Sequence, residues 1–254
     1  MGIFEAIVLG VVEGLSEFLP VSSTGHLILA SALLKLQQSE AHKVFEVVIQ
    51  LGAMLAVVEV YRKQLLARPD LIKKVCFAFL PTGTIGFLLY KLVKSFFQPS
   101  LVSYMLIAGG AAFIVIELWM KDRPATTHTL DEISYKQAFS IGLVQCLSMV
   151  PGVSRSGATI MGGLLFGLDR KDATEFSFLL ALPTMFAATC YDVYKNYTVF
   201  HAADWQNIAV GFVTSFIFGV IGIKALLKFV TSHTFIPFGI YRIIVGVLFL
   251  VFLF

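Results

Sequence analysis

Shifted by 132 residues, this chain lies over itself. The stretch "GVVEGLSEFLPVSSTGHLI" at 10–28 aligns with "GLVQCLSMVPGVSRSGATI" at 142–160. Gly10 falls on Gly142, Val12 on Val144, Leu15 on Leu147 and Ser16 on Ser148. Val21 falls on Val153, Ser22 on Ser154, Gly25 on Gly157 and Ile28 on Ile160. With a small slip, Phe45 meets Phe176, Leu51 meets Leu182 and Met54 meets Met185; later, Gly86 meets Gly219, Lys91 meets Lys224 and Tyr104 meets Tyr241. Any fold must therefore use one unit twice, over residues 1–120 and 133–254, within a single domain of 1–254.

Each half opens with two short apolar segments, 3–20 and 25–36, then 137–150 and 157–168. Three longer ones follow: 41–61, 75–95 and 101–120, then 173–194, 207–228 and 236–254. A polar linker, "KDRPATTHTLDEISYK", lies between the halves at 121–136. Only 14% of residues are charged and 57% are hydrophobic, against roughly a quarter charged in a soluble domain. The longer segments match the ~20 residues that a membrane-crossing helix needs. The short pairs are joined by Pro- and Gly-bearing polar turns, which predicts a hairpin that enters and leaves on one side. Three crossings per half then turn the second half upside down. The expected fold is an all-α polytopic membrane protein, an inverted-topology repeat, each half a re-entrant helical hairpin plus three transmembrane helices. The rival assignment sends all ten segments across.

The basic residues test this arrangement. One face receives Arg62, Lys63, Arg68, Lys73, Lys74, Lys121, Arg123, Lys136, Arg170, Lys171 and Lys228, and the other little beyond Lys35, Lys43, Lys94 and Lys195. The basic face is expected to be cytoplasmic, with both termini and the first hairpin facing outward. A net charge of +3 is too small to point to nucleic acid. Cys76, Cys146 and Cys190 are odd in number and scattered in apolar contexts, so they read as small core residues rather than a metal site or disulfide framework. Met1–Ala6 lacks the positive start of a secretory signal.

The chemistry collects in the two turns. Irregular backbone within a membrane survives only where protein or a polar cavity satisfies it. Hairpins entering from opposite faces would bring "LPVSSTGH" (19–26) against "VPGVSRSGAT" (150–159) near the midplane. They pool Ser22, Ser23, Thr24, His26, Ser154, Arg155, Ser156 and Thr159. An arginine, several hydroxyls and the N-termini of the helices that follow make a phosphate cradle. Glu13 and Glu17 share a helical face at i and i+4. Two carboxylates so close need a cation or protons between them, and a divalent metal bound with substrate phosphate would suit, Mg²⁺ first and Ca²⁺ second. Glu46 and Gln50 repeat the spacing on the next segment and are candidates for the same cavity. Unpaired, Glu13, Glu17, Glu46 and Arg155 would cost on the order of 10 kcal/mol in a bilayer. Their natural partners are one another and a ligand.

"VVEGLSEFLPVSSTGH", "FEVVIQLGA", "YKQAFSIG", "PGVSRSGAT" and "EFSFLLALP" resemble the signature stretches of the undecaprenyl pyrophosphate phosphatase family, also known as bacitracin-resistance proteins. The resemblance covers nearly the whole chain. It implies a metal-dependent enzyme of the bacterial inner membrane, with its active site opening to the periplasmic side, that dephosphorylates a C55 isoprenoid diphosphate. That reaction recycles the lipid carrier for peptidoglycan synthesis. The family's acidic motif maps to Glu13 and Glu17, its histidine to His26, its arginine to Arg155, and its hydroxyl positions to Ser23, Ser154, Ser156 and Thr159.

On this expectation Arg155, Ser154, Ser156 and Thr159 hold the phosphates, and Glu13 and Glu17 bind the metal or tune His26. Ser23 and His26 both qualify as nucleophile; the reading leans to Ser23, with His26 as base and a glutamate orienting it. The expected partners are a polyprenyl diphosphate and the bilayer, with room for a homodimer. A lipid-phosphate transporter or flippase is the alternative, since inverted repeats with broken helices are also the transporter pattern.

Overall fold

The computed structural model describes residues 1–37, 39–89, 92, 99–196 and 205–253, and the regular structure of these is helical. Among them run α1 (Ile3–Ser16), α2 (Ser23–Leu33), α3 (Glu40–Ala67), α4 (Pro69–Leu88) and α5 (Pro99–Met120). After the linker come α6 (Tyr135–Gln145), α7 (Arg155–Leu165), α8 (Arg170–Asn196), α9 (Trp205–Val230) and α10 (Ile236–Leu253). Lys91, Lys94 and the end of the expected 75–95 segment lie outside the described residues, as does the side chain of Lys195.

Local chemistry sets several of the boundaries. Ser134 Oγ accepts the Gln137 amide at 3.2 Å, and Gln137 Oε1 accepts the Ser134 amide at 2.9 Å, a reciprocal cap that starts α6. Ser39 Oγ accepts the His42 amide at 3.2 Å at the start of α3. Helix α4 begins at Pro69, six residues before the expected apolar run, because proline suits the first helical position and Asp70 favours the positive helix end. Helix α1 stops at Ser16 rather than running to 20, and residues 17–21 form a turn; a proline such as Pro20 disfavours helical backbone in the residue before it.

Length separates two classes of helix. Helices α1, α2, α6 and α7 have 14, 11, 11 and 11 residues. At ~1.5 Å per residue the longest reaches about 21 Å, short of a ~30 Å hydrocarbon core. Among the described residues, five stretches are long and apolar enough to cross: Ala41–Ala67, Pro69–Leu88, Ser100–Met120, Arg170–Tyr191 and Trp205–Val230. The last expected span is apolar over the shorter Ile236–Val251.

Helices α3 and α8 pack together, and Ala53, Ala56 and Val57 of α3 share one core with Phe176, Phe178, Leu179 and Leu180 of α8, all fully buried. Helix α1 packs on α9, which packs on α3; α6 packs on α4, which packs on α8; α5 packs on α10. Glycines let the backbones approach. A Cβ at Gly10 would lie 2.7 Å from the Gly211 carbonyl oxygen, and one at Gly142 would overlap that of Ala78.

The two ends of the bundle differ. At one, the Asn207 side chain donates to the Met1 carbonyl at 2.9 Å. At the other, Lys74 donates to the Asp131 carbonyl at 2.9 Å, and Arg170 pairs with Glu117 at 2.7 Å. Glu117 also accepts the Phe235 amide at 2.8 Å. The linker is ordered here rather than a plain tether. Thr126 and Thr127 amides donate to the Gly167 carbonyl, and Thr127 bridges to Leu168. The His128 amide donates to Glu132 at 2.9 Å, which holds that carboxyl below the usual range.

Candidate active site

Both turns end on a serine in left-handed backbone: Ser22 at φ 73° and Ser154 at φ 75°. Such conformations cost about 1–3 kcal/mol for a residue with a side chain and persist only where the surroundings impose them. Each serine is the N-cap of the next helix, α2 or α7. Ser154 Oγ accepts the Gly157 amide at 3.1 Å, whereas Ser22 makes no side-chain cap. The second turn passes through a 3₁₀ stretch, Cys146–Met149, and Gly152 at φ 94°, where glycine is unstrained.

The turns touch through the candidate side chains. Glu17 Oε2 accepts the Ser23 hydroxyl at 2.5 Å, and Glu17 Oε1 accepts Arg155 Nη2 at 2.8 Å. Arg155 Nη1 donates to the Ser177 carbonyl at 3.0 Å. Ser156 Oγ donates across to the Leu19 carbonyl at 2.9 Å and lies 3.1 Å from Ser154 Oγ. Thr159 Oγ1 sits 2.6 Å from Ser177 Oγ. Ser22, Ser23, Ser154, Ser156 and Thr159 are all buried, so the centre is closed.

Glu13 is fully buried, and among the described residues neither of its carboxylate oxygens has a hydrogen-bond partner. It lies beside Glu17, within the field of Glu46 and Arg155. Ten residues into α1, it sits about 15 Å along the helix, half the thickness of a bilayer core. Glu46 pairs with His42 at 3.1 Å and accepts a long 3.4 Å bond from Ser31, so its direct partners lie away from the turns. Gln50, one turn further along α3, and Thr24 are half-buried and do not join the network around Arg155. A cavity of about 390 Å³ opens near Lys35, His42, Phe45 and Met1, at the N-terminal end of the bundle.

The family model for bacitracin resistance protein BacA matches residues 6–248. The chain belongs to that family. It is 58% identical over 249 residues to an undecaprenyl-diphosphatase of Sulfurihydrogenibium sp. (strain YO3AOP1), with 98% of each chain covered. It is also 58% identical over 252 residues to an undecaprenyl-diphosphatase of Persephonella marina, with 99% of each covered. A relative of the same name from Methanococcus aeolicus is 44% identical over 252 residues, again with 99% of each covered.

In this BacA-family chain His26, the expected base for Ser23, has other hydrogen-bond partners. Its Nδ1 lies 2.8 Å from the Ser22 carbonyl and its Nε2 2.6 Å from the Tyr241 hydroxyl, with the two rings stacked. The Ser23 hydroxyl is directed to Glu17 instead. Tyr241, Arg242 and Ser177 also join these contacts, with little in the sequence to mark them. Tyr241 stands out there only as the repeat mate of Tyr104, and Ser177 takes part in them partly through its carbonyl, which carries no sequence signal. Arg242 had one, an arginine inside an apolar run. Among the described residues both buried oxygens of Glu13 lack a hydrogen-bond partner, which fits a hard divalent cation held beside Glu17, whose own oxygens already meet Ser23 and Arg155.

Proposed function

We infer that this chain hydrolyses undecaprenyl diphosphate to undecaprenyl phosphate and inorganic phosphate, recycling the lipid carrier for peptidoglycan synthesis. The observation that carries the site assignment is the buried chain Ser23–Glu17–Arg155, which joins a hydroxyl, a carboxylate and a guanidinium drawn from both turns. A base within hydrogen-bond reach of a hydroxyl is the arrangement that activates a serine.

In the proposed reaction Ser23 Oγ attacks the terminal phosphorus as its proton passes to Glu17 Oε2. The bond from that phosphorus to the bridging oxygen breaks, releasing the prenyl monophosphate and leaving phosphoserine. Water then attacks the phosphoserine and frees inorganic phosphate. Arg155, Ser154, Ser156 and Thr159 hold the phosphoryl oxygens, for the transfer depends mainly on positioning and charge stabilisation. His26, held by Tyr241, lines the same turn and serves the departing phosphate. Glu13 and Glu17 would hold a divalent cation, Mg²⁺ or Ca²⁺. When bound, it supplies positive charge against the diphosphate oxygens.

The proposed architecture is the inverted repeat over 1–120 and 133–254, each half a re-entrant hairpin plus three spans. Its support is reciprocal: the pairing of α1 with α9 has its mate in that of α6 with α4, and α5 with α10 and α3 with α8 are self-mated. The short α1, α2, α6 and α7 agree with hairpins that turn back at mid-depth. The basic end of the bundle is proposed to face the cytoplasm of a bacterial inner membrane, and the termini the periplasm.

Phosphate release from a C55 prenyl diphosphate by purified protein in detergent tests the activity. Release with Mg²⁺ or Ca²⁺ that is lost in Ser23→Ala, with phosphate trapped on Ser23 in slowed variants, is the expected result. Release from Ser23→Ala at the parental rate would refute the nucleophile. No release under any metal condition would return the reading to a transporter.

A further inference from the structure

Arg242 is fully buried and, by volume, the largest such side chain among the described residues. Every acceptor described for it is a main-chain carbonyl. Nη2 donates to Gly152 and Val153, each at 2.9 Å, and Nη1 to Pro20 at 3.2 Å. Further bonds run to Met105 and Leu106 of α5, at 3.2 and 3.5 Å. Pro20 belongs to the first turn, and Gly152 and Val153 to the second. One guanidinium on α10 therefore grips both turns just ahead of the two left-handed serines.

The surroundings leave space for it. A Cβ at Gly157 would lie 3.1 Å from Nη1, and one at Gly109 would overlap Nη2. The Phe113 ring closes one side at 5.5 Å. A buried arginine is costly in a bilayer core, and an apolar side chain could fill the same volume. What the guanidinium adds is a rigid planar fork with five donors, able to serve two pieces of irregular backbone at once. Without it those carbonyls would face an apolar interior unpaired.

We propose that Arg242 is a positioning residue for phosphoryl transfer: it fixes the first turn against the second and so sets Ser23 relative to Arg155, without touching substrate. Its kinetic consequence rests on the phosphatase reading; its structural consequence does not. Displacing catalytic groups by about 1 Å can cost ~10²-fold in rate, and such a loss falls on turnover rather than on ground-state binding.

The test uses full-length protein in detergent, with Arg242→Met and Arg242→Lys, and two readouts. In Arg242→Met, amide exchange should accelerate together in peptides 19–26 and 150–157. Its kcat for a prenyl diphosphate should fall about 100-fold with KM moving less than threefold. Arg242→Lys should recover roughly tenfold of that loss, because an ammonium can serve one turn but not both. Exchange unchanged in either turn would overturn the proposal, as would kcat within threefold of the parent, a loss carried by KM, or no recovery in Arg242→Lys. If Arg242→Met does not fold, Arg242→Lys decides by the same exchange readout and a kcat about tenfold below the parent; parental values overturn the proposal. If neither folds, Arg242 serves the fold alone and the proposal fails. A parent without phosphate release would refute the phosphatase reading, and the exchange data would still decide this one.

Discussion

Glu17 and Arg155 meet across the two turns as an ion pair of 2.8 Å, their side chains only 4% and 9% exposed. Removing one partner leaves the other charge buried. Glu17→Ala and Arg155→Ala are each expected to destabilise the protein by about 3–5 kcal/mol. The double variant should lose well under the sum. Thermal unfolding of the four proteins in one detergent measures the coupling, and strict additivity would contradict a direct pair.

Ser22 pays for its left-handed backbone without any cap in return. Ser22→Gly should therefore stabilise the fold by about 1 kcal/mol, since glycine adopts φ 73° freely. Ser154→Gly should be nearly neutral, because the loss of the bond to the Gly157 amide offsets the relief. Ser22→Val should destabilise. Unfolding midpoints in detergent check all three, and equal shifts for the two glycine variants would contradict the different capping.

Tyr241 holds His26 Nε2 at 2.6 Å. Tyr241→Phe keeps the stacked ring and removes the hydroxyl. A net hydrogen bond of ~1 kcal/mol corresponds to roughly a fivefold fall in kcat. His26→Ala should lose more than that. Steady-state phosphate release compares them, and an unchanged Tyr241→Phe would remove the tyrosine from the mechanism.

The unpartnered carboxylate of Glu13 makes cation binding measurable without turnover. Saturating Mg²⁺ or Ca²⁺, at ~100 times the dissociation constant, should stabilise the parent by about 2.7 kcal/mol. Glu13→Gln should abolish most of that gain while folding normally. Thermal shifts with and without chelator report it, and equal gains in the two proteins would rule out Glu13 as a ligand.

Glu17, Ser23 and Arg155 were legible in the sequence because charge in an apolar chain demands a partner, and the two turns supplied one another. Which hydroxyl meets which base was not. Ser23 and His26 are three residues apart on α2, yet Ser23 is bonded to Glu17 and His26 to Tyr241. Thr24 and Gln50 had the right residue types and spacing, yet neither joins the network around Arg155. Helix α4 starts ahead of the apolar run at 75 because Lys73 and Lys74 interrupt its hydrophobic pattern but not its helix. Lys74 is in fact drawn inward by the Asp131 carbonyl and Asp70. That contact comes from the linker, which no periodicity could reveal.

The stitching of residues 126–132 onto Gly167, Leu168 and Lys74 bears on how the protein can be engineered. The connector is polar and near mid-chain, the obvious place to graft a fluorescent reporter or to express the chain as two fragments. Its amides are already committed, so an insert there would strip the end of α7 of its backbone partners. The chain just ahead of that segment, Lys121–Arg123, is exposed and is the better graft point.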